Sequence, residues 1–275
     1  VLKQFKQPGS EALLEHPLQL KNEDGVIGYY DTYQGAFEEI EKQNNNTAEY
    51  TITNLVEWNF EKTDNDALQT VTKAKSITFE SGTRTDTDGA AGKRYRVRMR
   101  TQNLELPAGV DVTFRNIVMK YDQGSNTEAK DAAGNITSYD MTFAGNGGTL
   151  TFGDGVVFLK HNDAGMKPTV YGGSLKDSNL TTTKESTVII KSGKYKAVYG
   201  GGTKAQTGNA SVVINGGTIA NPIYGGGDGA DVTGSATVTV SNDAIESAGS
   251  VYGGGKGGQV TKGTTVTVTV PNKAG

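Results

Sequence analysis

"VYGGG", residues 198–202, decides how this chain is read, because close variants of it stand at three other places. Tyr171, Tyr199, Tyr224 and Tyr252 each follow Val or Ile and precede a glycine cluster, at separations of 28, 25 and 28 residues. A second element recurs in phase: "STVII" at 186, "ASVVI" at 210, "ATVTV" at 236 and "TTVTV" at 264, separated by 24, 26 and 28 residues. β-Branched and polar residues alternate in it, as a strand with one face toward a core requires. Between the two elements stand "KSGKYK", "NGGTIANP" and "SNDAIESAGS", clusters that turn the chain and carry no helical period.

A repeat of this length means a solenoid, a propeller or an array, in which each unit buries its apolar side against its neighbours. The glycine and β-branched content excludes helical repeats, and a propeller blade needs about 40 residues. Units of 24 to 28 residues with two or three short strands suit a parallel β-helix. The glycines after each Tyr then read as corners. Glycine reaches positive φ without a Cβ penalty, and it lets one turn lie close against the next.

Composition agrees with turns and short strands. The 275 residues include 38 glycines, about twice the share expected from an average usage of about 7%. No cysteine is present and the only histidines are His16 and His161, which excludes disulfides, thiolate metal sites and cysteine nucleophiles. A net charge of −3 supplies no global field for nucleic acid or an anionic membrane. No apolar run is long enough to insert into a bilayer.

Upstream, "SITFESG" at 76, "YRVRM" at 95, "DVTFRNIVM" at 111, "DMTFAGNGGTLTF" at 140 and "VVFLKHN" at 156 read as further short strands. Before them, "DTYQGAFEEIEKQ" at 31–43 predicts a helix capped by Asp31 or Thr32, with Tyr33, Ala36, Phe37 and Ile40 on one apolar face. Such a helix would close the exposed end of a stack of strands. The expected division is an N-terminal extension and capping helix over 1–45, then a parallel β-helix over 46–275 whose Tyr-Gly repeats run from about 168 to 270. The chain stops soon after a repeat strand, so further domains of the same polypeptide are expected.

"YYDTYQGAFEEIEKQ", "KSITFESG", "LELPAGVDVTFRNIVM" and the "VYGGG" units together resemble the right-handed parallel β-helix domains of Gram-positive bacterial surface proteins, which are related in shape to pectate lyases. The resemblance covers roughly residues 27 to 270. It implies an all-β, right-handed solenoid and a cell-wall-anchored, extracellular module of adhesin type, with host glycans or extracellular-matrix proteins as partners. A polysaccharide lyase or glycosidase acting on acidic glycans and a structural stalk are the alternatives.

Catalysis of either kind would need clustered carboxylates, with calcium and a base for a lyase. The sequence repeats no acid in register, and no catalytic residue is assigned. "GGDGAD" at 226–231 matches the start of a calcium-binding nonapeptide, but "GGKGGQ" at 254 has Gln259 where the second carboxylate belongs. Calcium at Asp228 and Asp231 is thus an alternative to an ordinary turn, and no other cofactor is expected.

"KRYRVRMR" at 93–100 is the main candidate for binding. As a strand it would put Arg94, Arg96, Arg98 and Arg100 on one face and Tyr95, Val97 and Met99 in the core. Such a strip suits sulfate or carboxylate groups on a polyanionic glycan. Glu80, Asp86 and Asp88 are nearby acids that could instead pair with it. The tyrosines at 171, 199, 224 and 252 form a second candidate, either an exposed ladder that stacks on sugar rings or an internal aromatic stack.

Overall fold

The structure, a computed structural model, describes residues 5–6, 13–14, 16–85, 91–121, 129–130, 136–138, 141–160, 162–176, 185–241 and 250–269. Among them strands predominate, most of them paired in parallel, with two α-helices. The chain forms two compact units. The first comprises residues 1–102, 113–139 and 155–165, and the second residues 103–112, 140–154 and 166–275.

In the first unit, Leu18–Asn22 lies antiparallel to both Gly25–Tyr30 and Glu49–Asn54. Glu49–Asn54 then runs parallel to Ser76–Ser81. A second sheet places Trp58–Phe60, Arg96–Met99, Val118–Tyr121 and Val157–Leu159 side by side, all parallel. Helix α1, Tyr33–Gln43, buries the face read from its sequence: Tyr33, Ala36, Phe37 and Ile40 are each 1% exposed or less. Its Tyr33 ring lies 4.8 Å from Phe60 and 6.2 Å from Phe79, so the helix is held mainly by aromatic burial.

Thr32 is the N-cap. Its Oγ1 accepts a hydrogen bond from Gly35 N at 3.0 Å and satisfies one of the free N–H groups of the first turn. Thr32→Ala is expected to cost about 1 kcal/mol, measurable as a lower denaturant midpoint with an unchanged slope. Helix α2, Lys62–Leu68, is almost wholly polar in sequence. Asp64 anchors it, accepting from Glu61 N at 2.8 Å and from Gln34 N at 2.9 Å, which ties together the first turns of both helices.

Besides the parallel pair of Lys194–Tyr195 and Thr218–Ile219, the strands of the second unit alternate, in chain order, between two parallel sheets. One contains Asn103–Glu105, Thr142–Ala144, Thr169–Tyr171, Ala197–Tyr199, Ile223–Tyr224 and Val251–Tyr252. The other contains Thr149–Phe152, Ser186–Ile190, Ala210–Ile214, Ala236–Ser241 and Thr264–Thr269. Register is set by the repeat itself. Tyr171, Tyr199, Tyr224 and Tyr252 stand beside one another, as do Val188, Val212, Val238 and Val266.

Each inward residue of Ser186–Ile190, Ala210–Ile214 and Ala236–Ser241 is at most 2% exposed. Burying one such Val or Ile contributes about 1.5 to 3 kcal/mol. A shift of register by one residue would turn this whole set outward. In Thr264–Thr269 the alternation continues, but all six residues are exposed, with Val266 at 43% and Val268 at 47%.

The glycines that follow each Tyr act through close approach. Gly172, Gly200, Gly225 and Gly253 do not have positive φ; that conformation occurs further along, at Gly229 and Gly257 among others. A Cβ on Gly200 would lie 2.2 Å from the carbonyl oxygen of Gly225, and one on Gly172 would lie 2.2 Å from that of Gly200. Of the two roles read from the sequence for these corners, the stacking of backbone on backbone is the one that operates.

Candidate functional site

The arginine segment divides at Tyr95. Arg94 ends the strand Ala91–Arg94, which pairs antiparallel with Thr83–Thr85, and its Nη1 donates to Ser81 O at 3.0 Å. Arg96–Met99 belongs to the parallel sheet of the first unit and follows the expected alternation, with Val97 and Met99 buried and Arg96 and Arg98 facing out. Tyr95 is half-buried, as is Arg100 beyond the strand. Arg96 and Arg98 therefore share an outer strand face, and Arg94 and Arg100 stand outside that strand.

Parallel pairing sets Lys120 beside Arg98 and Val118 beside Arg96. Two carboxylates answer these three cations. Asp163 accepts from Arg96 Nη1 at 2.9 Å and pairs with Lys120 Nζ at 3.0 Å, while Glu57 lies 3.1 Å from Arg98 Nη2 and 3.7 Å from Arg96 Nε. The hydrogen bond from Lys120, with the charges of Arg96 and Lys120, outweighs the effect of desolvation and holds the Asp163 carboxyl below its ordinary range.

Of the acids expected as partners, Glu80 is engaged elsewhere. It takes Thr53 Oγ1 at 3.0 Å, Arg115 Nε at 3.1 Å and Lys21 Nζ at 3.4 Å. Burial raises the Glu80 pKa, yet the Thr53 hydrogen bond with the charges of Lys21 and Arg115 brings it below the usual value. Asp86 and Asp88 lie outside the described residues. Asp163 stands 67 residues from Arg96, and no local pattern announces that pairing.

The tyrosines are brought together as a column. Successive ring centroids from Tyr171 to Tyr252 are 4.8, 5.1 and 5.0 Å apart, with interplanar angles of 10°, 6° and 13°. Tyr171 and Tyr199 are buried, Tyr224 is half-buried and Tyr252 is 47% exposed. Val198, adjacent to Tyr199, is fully buried as well, so the two sides of this strand pack into different surroundings. Ala144, Ala197 and Leu175 complete the packing around the column. Because each ring face covers the next, the column offers edges and hydroxyls along its length, and a face only at Tyr252.

Asp228 closes the hydroxyl side of the column. Its Oδ2 accepts from Tyr171 Oη at 3.3 Å, and its Oδ1 lies 3.4 Å from Lys256 Nζ. Burial, then the Asp228 charge, pushes the Tyr171 phenol well above its ordinary value, and the same causes push Tyr199 up to about 12. Asp231 Oδ1 accepts from the backbone N of Gln259 at 2.8 Å, so each carboxylate of "GGDGAD" has a protein partner. Among the described residues no group of three or more His, Asp or Glu side chains could hold a metal ion, and no helix is long and apolar enough to cross a membrane.

The outward face of the five neighbouring strands Thr149–Phe152, Ser186–Ile190, Ala210–Ile214, Ala236–Ser241 and Thr264–Thr269 was not among the candidates drawn from the sequence. It presents Thr149, Thr187, Ser211, Thr237 and Thr265 in one row, and Thr151, Ile189, Val213, Thr239 and Thr267 in the next. The alternation of polar with β-branched residues that identifies these strands is also the signal for this uncharged surface. Comparison with known protein families, curated proteins and solved structures finds no match.

Proposed function

We propose that the strands wind as a right-handed parallel β-helix with α1 as its lid, and that the chain is a non-catalytic binding or presenting module of an extracellular bacterial surface protein. Its partner is a host polyanionic glycan or an extracellular-matrix protein bearing acidic groups. One observation carries this reading: Arg96, Arg98 and Lys120 are fixed on neighbouring outward strand positions and outnumber the carboxylates of Glu57 and Asp163 that pair with them. These pairs are partly open to solvent, where ion pairs contribute only about 1 kcal/mol each, so a ligand sulfate can exchange with either carboxylate at small cost. Arg96 and Arg98 provide bidentate geometry for that exchange.

The test is heparin chromatography of the whole chain. Wild type is expected to be retained at low salt and released as ionic strength rises, because exposed charges are screened beyond about 8 Å at 0.15 M. Arg96→Ser combined with Arg98→Ser should pass without delay while keeping the thermal midpoint nearly unchanged. Passage of wild type without delay at low salt would remove the binding reading and leave the structural stalk. Release of unsaturated uronides from an acidic polysaccharide over many turnovers would put the lyase in its place.

A further inference from the structure

We infer that the second unit carries a separate groove for an uncharged, linear oligosaccharide lying across its strands. The groove is a depression of about 290 Å³ at the start of Ser186–Ile190, Ala210–Ile214 and Ala236–Ser241. Its polar lining has two parallel rows. Glu185, Asn209 and Ser235 form one, and Thr187, Ser211 and Thr237 form the other, with Ala210 between them. Strand pairing fixes the second row residue against residue, so its hydroxyls recur at the strand spacing of about 4.8 Å.

These groups differ in how far they are already committed. Asn209 is locked, its Nδ2 donating to Glu185 Oε1 at 2.8 Å and its Oδ1 accepting from Ser235 N at 2.9 Å. Among the described residues, the hydroxyls of Thr187, Ser211 and Thr237 have no side-chain partner. They offer both donors and acceptors to a ligand, and Glu185 Oε2 adds an acceptor with a negative charge. A ligand rich in hydroxyls meets all of these at once.

The same lining disfavours other ligands. Among the described residues no Lys or Arg lines the groove and the one ionic group is a carboxylate, which disfavours a sulfated or uronic-acid chain. An apolar ligand would leave the hydroxyl row unsatisfied. The depression lies on a sheet face between strands already paired on both sides, which leaves no free backbone for an added peptide strand. The volume stands near the lower limit of small-molecule sites and suits one or two sugar rings seated within a longer chain. An extended β-linked glycan advances by close to one strand spacing per sugar, so a chain crossing the strands presents hydroxyls to successive members of the row.

The site is independent of the arginine face, and its test separates the two. Cellohexaose, mannohexaose and chitohexaose would be titrated into the whole chain and followed by saturation-transfer NMR and calorimetry. At least one is expected to bind, the hexamer more tightly than its dimer, with little change as salt is raised. Thr187→Val, Ser211→Ala and Thr237→Val together keep strand shape and remove three hydroxyls that support no other described side chain. This variant should bind about tenfold more weakly or worse, with its thermal midpoint maintained. No binding by any of the three hexasaccharides overturns the proposal, as does binding that the triple variant leaves intact. Binding that is abolished by salt or by Arg96→Ser with Arg98→Ser belongs to the arginine face and also overturns it, while leaving the reading of that face standing.

Discussion

Gly200→Ala is expected to destabilise the second unit by more than about 3 kcal/mol, lowering its melting midpoint by roughly 10 °C. The added methyl would meet Gly225 O at 2.2 Å and the Cβ of Ala210 at 3.1 Å, and neither is the movable end of a flexible side chain. Relief would require the two corners to separate. That would stretch the hydrogen bond from Gly200 N to Tyr224 O, now 2.9 Å, and pull Tyr199 from Tyr224 in the adjoining column. Gly254→Ala is the matched control, since a Cβ there meets nothing within 4 Å and the residue has no positive φ. It should be neutral or slightly stabilising through the unfolded state, by up to about 1 kcal/mol. Thermal circular dichroism on the two variants decides the matter, and equal midpoints would show that the corners are not close-packed as described.

The second large effect concerns alkaline pH. Tyr33 donates to Asn54 Oδ1 at 2.5 Å beneath helix α1, and Tyr195 donates to Ser192 O at 2.8 Å while fully buried. Burial raises the phenol pKa of both, as it does for Tyr171 and Tyr199. An unfolded chain ionises these groups near pH 10, whereas the folded protein keeps them protonated. The stability they confer is therefore complete below pH 10 and is lost as pH rises, through about 12 for Tyr199. The melting midpoint should be flat toward pH 10 and fall steeply above it. Phenolate absorbance should resolve the 12 tyrosines into an early group and a late group whose ionisation coincides with loss of strand signal. A single transition near pH 10 with the fold intact would contradict the burial of these rings.

The parts that could be read from the sequence were those in which a local pattern and a long-range contact demand the same residues. Val188, Val212, Val238 and Val266 recur because each packs on the next, so the repeat in the sequence is the register of the sheet. The apolar face of α1 was legible for a similar reason, its four buried residues falling at helical spacing. Helix α2 was not, because "KTDNDAL" has no apolar stripe and owes its position to Asp64 bonding a backbone N–H 30 residues away. The arginine segment was legible in its alternation at Val97 and Met99 but not in its partners, since Glu57 and Asp163 reach it from loops distant in the chain. The side taken by the tyrosines was undecidable because both faces of "AVY" are buried, and alternation informs only when one face meets water.

The column of four tyrosines has an optical consequence. Parallel phenol rings 4.8 to 5.1 Å apart are close enough for their electronic transitions to couple, so the near-ultraviolet dichroism of the tyrosine band reports how well the repeats are stacked. The sole tryptophan, Trp58, lies in the other compact unit. Its fluorescence labels the first unit, and the part of the tyrosine dichroism that arises from coupling within the column labels the second. Recorded together during a single melt, they reveal whether the two units unfold in one step or in succession, with no dye or tag attached to either.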